Sequence, residues 1–179
     1  MTFLYDKLTT IAKTVCSFIY VFMIKLALYQ PDIPQNTGSM LRLAACLGIS
    51  VDIIEPCGFI WNEKKMRRAG MDYLDNVAIS RHSSWDAYQK APRKRLILMS
   101  TKAAIPYMDF KFEIGDTLLM GRESAGVPED IHNAADARII IPMLPEMRSI
   151  NVAMSAAMVI GEGLRQLNAF PNANNGTEK

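Results

Sequence analysis

An α/β fold, with a mostly parallel sheet and helices on both faces, is predicted by two features of this sequence. Short apolar runs rich in β-branched residues recur between polar stretches of helical length, the pattern of strands joined by crossover helices. Three separated segments, 31–48 (PDIPQNTGSMLRLAACLG), 118–129 (LLMGRESAGVPE) and 141–167 (IPMLPEMRSINVAMSAAMVIGEGLRQL), each pass from an apolar run, or the turn after one, into a loop of Gly, Pro, Asn or Ser. The first and third then enter a helix. Irregular backbone at strand ends exposes N–H and C=O groups to a ligand, which is how such a fold builds a site.

Taken in order, strands are predicted at Ile24–Tyr29, Val51–Ile54, Val77–Ser80, Arg95–Ser100, Thr117–Gly121 and Arg138–Ile141. Helices are predicted at Thr37–Leu47, Glu63–Ala69, Ser84–Ala91, a short Pro128–Ala134 and a long Ser149–Ala169. In the first helix Met40, Leu43, Ala44 and Leu47 share one face, and Gly48 follows in a C-cap role. The last helix carries Ala153, Ala156, Ala157, Ile160, Gly161 and Leu164 at three-to-four-residue spacing. Such a stripe of small residues permits close approach, either into the core or against a partner. No internal repeat or low-complexity block interrupts the chain, so one domain is expected over residues 23–170.

The 179 residues suffice for a sizeable core, and half of them are apolar. The net charge is only +2, so the total alone does not call for a polyanionic partner, and local clusters matter more. Two local basic clusters, Lys64, Lys65, Arg67 and Arg68, then Arg93, Lys94 and Arg95, read equally as solvated surface or as contacts to a nucleic-acid backbone. Three cysteines (Cys16, Cys46, Cys57) and two histidines show no zinc spacing and no disulfide framework. The thiols read as small core residues of a reducing compartment, with the cytoplasm as the default.

The ten residues 15–24 form an apolar or weakly polar run, too short to span a bilayer as a helix. Lys7 and Lys13 precede it, yet no small-x-small cleavage site follows. Residues 1–22 read as an extension or a mis-assigned start ahead of Met23, and residues 171–179 as a frayed polar tail.

In order and spacing, the three loop segments resemble the signature motifs of the SpoU-type RNA 2′-O-ribose methyltransferases of the SPOUT superfamily. The resemblance covers roughly residues 23–168, including IEPCGFIWNEKKMRRAGMDYLD at 54–75, and is nearest to the TrmL group, which methylates the wobble ribose of tRNA. It implies a deep trefoil knot in the C-terminal third, which topology rules alone would not suggest. It also implies a homodimer, an S-adenosyl-L-methionine cofactor, a tRNA anticodon stem-loop as partner, and neither membrane nor metal. Two alternatives stay open: methylation of another tRNA or rRNA ribose, or a knotted RNA-binding protein without catalysis.

Carried over residue by residue, the resemblance assigns cofactor binding to Met99, Gly121, Ile141 and Ser149, and the polar reacting set to Asn36, Arg42, Glu123, Arg148 and Asn151. Gly121 ends a strand and lets backbone approach a ligand closely, as does Gly126. Glu123 is placed to accept from Asn36 or backbone amides and so join the loops. Arg42 follows Asn36 by six residues; a protonated guanidinium cannot accept a proton, so a phosphate clamp suits it better than a base. Ser149 and Asn151 open the last helix, where Ser149 also reads as an N-cap. Arg148 suits bidentate contact with a phosphate or the cofactor carboxylate. Arg122 stands where these enzymes commonly have proline, which leaves the stiffness of the second loop open.

Overall fold

Every predicted strand within residues 23–62 and 72–171, which this computed structural model describes, forms within two residues of its expected position. They are β1 (Ile24–Tyr29), β2 (Ser50–Ile54), β3 (Ile79–His82), β4 (Leu96–Met99), β6 (Asp116–Met120) and β7 (Ala137–Ile140). A two-residue strand that the sequence pattern did not announce, β5 (Ile105–Pro106), lies at one edge. It is too short to show periodicity. The described helices are α1 (Pro34–Leu47), α2 (Trp85–Gln89), α3 (Glu129–Ala134) and α4 (Val152–Gln166). A 3-10 turn at Asp72–Asn76 was likewise unforeseen. Residues 1–22, the predicted helix Glu63–Ala69 with its four basic residues, Cys16, and nearly all of the tail lie outside the described residues.

The strands form one sheet in the order β3-β2-β1-β6-β4-β7-β5, and every adjacent pair is parallel. Parallel strands require covered faces, and strand alternation supplies two separate cores. Leu26, Leu28, Ile97, Leu118 and Met120 point toward Met40, Leu41 and Ala44 of α1 and Ala156, Val159, Ile160 and Leu164 of α4. Ala27, Tyr29, Leu96, Leu98 and Leu119 point the other way, toward Tyr88 of α2 and Ile131 of α3. Each such aliphatic side chain stabilises the fold by about 1.5–3 kcal/mol on burial.

The chain builds outward from β1 to β3, then crosses back to fill the other side, so neighbouring β1 and β6 are separated in sequence by two strands' excursions on each flank. A reversal of this kind leaves a crevice at the carboxyl ends of the strands. Helix α1 starts there with Pro34 in its first turn, where a missing N–H costs nothing. It ends at Gly48, whose φ of 68° suits glycine and whose N–H donates to the Ala44 carbonyl.

The stripe on α4 divides into two rows. Ala156, Ile160 and Leu164 are buried against the sheet, whereas Ala157 is exposed and Ala153 and Gly161 are half-buried. Cys46 is exposed, which corrects the expectation of a core thiol, because its position on α1 lies off the face that carries Met40 and Ala44. Cys57 is half-buried; burial, with help from Glu55, pushes its thiol up to about 11. The cluster Arg93, Lys94 and Arg95 sits at the amino end of β4 and is engaged there. Arg95 pairs with Asp116 at 2.7 Å and Glu113 at 3.0 Å, Lys94 donates to the Ile114 carbonyl, and Arg93 lies over the Tyr88 ring.

Candidate active site

The carboxyl ends of β4, β6 and β7 are adjacent in the sheet, and the residues that end or follow them, Met99, Gly121 and Ile141, line one cavity of about 440 Å³. Met120, Val127 and Ile140 extend this apolar wall, and Ser149 closes it from the loop before α4. Each strand end is held by its own ladder, so the wall is a direct product of sheet formation. Ser149 is exposed and does not cap α4, which begins three residues later than expected. Asn151 takes that role, its Oδ1 accepting from the N–H of Ala153 at 2.9 Å and of Met154 at 3.3 Å.

The opposite wall is polar. With Oδ1 committed to the helix, Asn151 turns its Nδ2 to donate to Asn36 Oδ1 at 3.0 Å. Asn36 in turn donates from Nδ2 to Glu123 Oε1 at 3.1 Å, and the main-chain N–H of Asp32 donates to Glu123 Oε2 at 2.8 Å. The chain of donors thus runs in one sense, from the N-terminus of α4 to a carboxylate, and it joins all three loop segments noted in the sequence. Both oxygens of Glu123 are occupied once and keep further acceptor capacity. Asn36, Glu123 and Asn151 all line the cavity.

Two features of the second loop answer the question raised by Arg122. Its guanidinium donates from Nη2 at 2.7 Å and Nε at 3.1 Å to Asp32 Oδ1, and its N–H and C=O exchange backbone hydrogen bonds with Gly126. A proline could do neither. Asp32 also accepts from the N–H of Ser124 and from its hydroxyl. These bonds, led by that from Arg122, hold the Asp32 carboxyl down at about 2. A carboxyl lowered in the folded state lends stability above its unfolded value of 3.8, and that contribution disappears as pH falls through about 2.

The close approach served by Gly121 is to the protein's own backbone. A Cβ there would meet the carbonyl carbon of Gly126 at 2.7 Å, and Gly126 itself has φ of 67°. Two assigned residues stand apart from the cavity. Arg42 is exposed on α1, where six residues from Asn36 amount to most of two turns and a different face. Arg148 is exposed in the loop before α4. Asp32, conversely, was missed: its segment was noted, but its partners lie 90 and 92 positions away. Among the described residues no group of His, Cys, Asp and Glu could hold a metal ion, and no helix is long and apolar enough to cross a membrane.

Comparison with known proteins identifies the family. Residues 23–161 match the SpoU rRNA Methylase family. The chain belongs to that family. A tRNA (cytidine(34)-2′-O)-methyltransferase of Beijerinckia indica is 63% identical over 148 residues, covering 81% of this chain and 92% of its own length. A solved structure described as giving insights into 2-OH methylation of C/U34 on tRNA superposes with a TM-score of 0.76 at 38% identity, covering 82% of this chain and 92% of the other. An AdoMet-bound rRNA methyltransferase from Sinorhizobium meliloti shares the fold, with a TM-score of 0.73 at 23% identity over 85% of this chain and 60% of that one.

Proposed function

We propose that this protein methylates the ribose 2′-hydroxyl of the tRNA wobble nucleotide, cytidine or uridine 34, with S-adenosyl-L-methionine as donor. The observation that carries the reading is the one-sense chain from α4 through Asn151 and Asn36 to Glu123, built on one wall of a cavity whose other wall is apolar. A tRNA (cytidine(34)-2′-O)-methyltransferase at 63% identity supports the choice of substrate.

The cavity fits the cofactor. Its volume of about 440 Å³ lies within the range of roughly 300–1,000 Å³ usual for such ligands. Ile141 and Met99 offer apolar surface for the adenine base, and Gly121 and Ser149 offer backbone and hydroxyl groups. When bound, S-adenosyl-L-methionine supplies a methyl group activated by a sulfonium. The protein's part is alignment in a preorganised polar setting. Asn36 and Asp32 fix the Glu123 carboxylate, whose remaining lone pairs can take the proton released from the ribose hydroxyl. The exposed Arg42 and Arg148 serve the RNA backbone, where a guanidinium clamps a phosphate without needing to lose a proton.

Residues 23–170 form the methyltransferase unit in this reading, and its knot is supported by the match of residues 23–161 to the SpoU rRNA Methylase family. The exposed row Met154, Ala157 and Met158 on α4, with Leu144 and Met147 nearby in sequence and 74% and 57% exposed, suits a second copy of the chain. A tRNA substrate supports a cytoplasmic location.

The test is incubation with labelled S-adenosyl-L-methionine and unmodified tRNA, followed by nucleoside mass spectrometry. The expected product is 2′-O-methylcytidine or 2′-O-methyluridine at position 34. Label confined to another ribose would move the target, and absence of label in any RNA would overturn the reading.

A further inference from the structure

Outside the chain of donors just described, the most heavily bonded polar side chain near the cavity is Asp32. Its main-chain N–H donates to Glu123 itself, while its carboxylate holds the residues on either side, Arg122 and Ser124. One residue on the first loop therefore grips three consecutive residues on the second. Its own placement is enforced from behind: the N–H of Gly58 donates to the Pro31 carbonyl, and a Cβ at Gly58 would come within 2.9 Å of the Asp32 Cα. The Asp32 side chain is only 17% exposed, whereas Arg122 is 38% exposed and lines the cavity. The rest of the loop is closed by the Arg122–Gly126 backbone pair, and the Asp32 carboxylate adds a side-chain tie from this hairpin to the first loop beside that of Glu123.

We propose that Asp32 and Arg122 are positioning residues for methyl transfer: their ion pair holds the hairpin at the register in which the Glu123 carboxylate faces Asn36. The proposal rests on the methyltransferase reading for its catalytic consequence, but not for its geometry. Neither residue touches the reacting atoms. Without the pair, the Asp32 N–H and the Asn36 amide still offer their bonds and Ser124 still holds Asp32, yet the Arg122 side of Glu123 is no longer fixed. The carboxylate then spends part of its time out of reach. A group displaced in this way loses rate while substrate binding is spared.

The test compares wild type with Arg122→Ala, Arg122→Lys, Asp32→Ala and the Asp32→Ala/Arg122→Ala double variant. Arg122 is partly exposed and its truncation leaves the core untouched, so that variant reports even if Asp32→Ala folds poorly. We expect Arg122→Ala to lower kcat about tenfold with KM for tRNA within about twofold, the pattern of a lost positioning contact. Arg122→Lys recovers part of the rate, since it keeps the charge and loses the fork. The double variant loses no more than Asp32→Ala alone, as two members of one unit should. A second readout needs no activity: the side-chain amide resonance of Asn36 in nitrogen-15-labelled protein shifts in Arg122→Ala toward its position in Glu123→Gln. An unchanged kcat together with an unmoved Asn36 resonance overturns the proposal, as do additive losses in the double variant. Should wild type transfer no methyl group, the functional reading fails, and the pair then stands or falls on the Asn36 resonance.

Discussion

The two walls of the cavity are made by different physics. Met99, Gly121 and Ile141 end or follow neighbouring parallel strands, and each is placed by its own ladder and by the apolar packing beneath it. Asn36, Glu123 and Asn151 stand on three loops and are placed by one another, across sequence separations of 87 and 115 residues. The first wall is a sum of local placements, so a change there stays local. The second is a network, in which removing one member releases the others, and contacting residues of this kind do not behave additively.

The sharpest way to break the contrast is Glu123→Gln. The amide is nearly isosteric, but it is neither anionic nor an acceptor at both positions, so the donor from Asp32 or from Asn36 loses its partner. Methylation should fall by at least about a hundredfold, a loss typical for removal of a preorganised polar group, while S-adenosylhomocysteine affinity measured by calorimetry changes little. A parallel collapse in affinity would show that the two walls are not separable. Gly121→Ala attacks the seam between them. Its methyl would press on the Gly126 backbone, and overpacking of this kind costs about 1–3 kcal/mol. Thermal unfolding should register that loss, with weaker cofactor binding alongside. Met99→Leu is the mild counterpart on the apolar wall. A volume-conserving swap costs less than about 1.5 kcal/mol, so kcat should stay within a few-fold of wild type. A loss comparable to that of Glu123→Gln would refute the division.

Much of the fold was legible because its signals are local. The run IKLALY forms β1 over the residues expected, and Gly48 ends α1 through a left-handed φ that its side chains' absence permits. Boundaries slipped where periodicity stops speaking: β3 lies two residues later than expected and α4 starts at Val152 instead of Ser149. The second error has a specific cause. Ser149 and Asn151 are both competent caps by residue type, and only the meeting of Asn151 with Asn36 selects between them. The basic cluster at 93–95 shows the same limit from the other side, since the ion pairs of Arg95 form only when Asp116 and Glu113 fold back onto it.

The site divides along that line. Resemblance to a family named Met99, Gly121, Ile141 and Ser149 together with Asn36, Glu123 and Asn151, and these seven line one cavity. Arg42 and Arg148 were named with them but are exposed and do not line it, because helix phase and loop path are properties of the folded backbone. Asp32 was not named at all. Alternation, capping residues and glycine turns are written within a few neighbouring residues, so the strands, the two-faced sheet and the site-forming loops could be read directly from the chain. Which loops meet, which residue caps α4, and how Arg122 is answered by Asp32 were settled only on folding. Those contacts join residues 87 to 115 positions apart, and no local pattern of residue types encodes a partner at that distance.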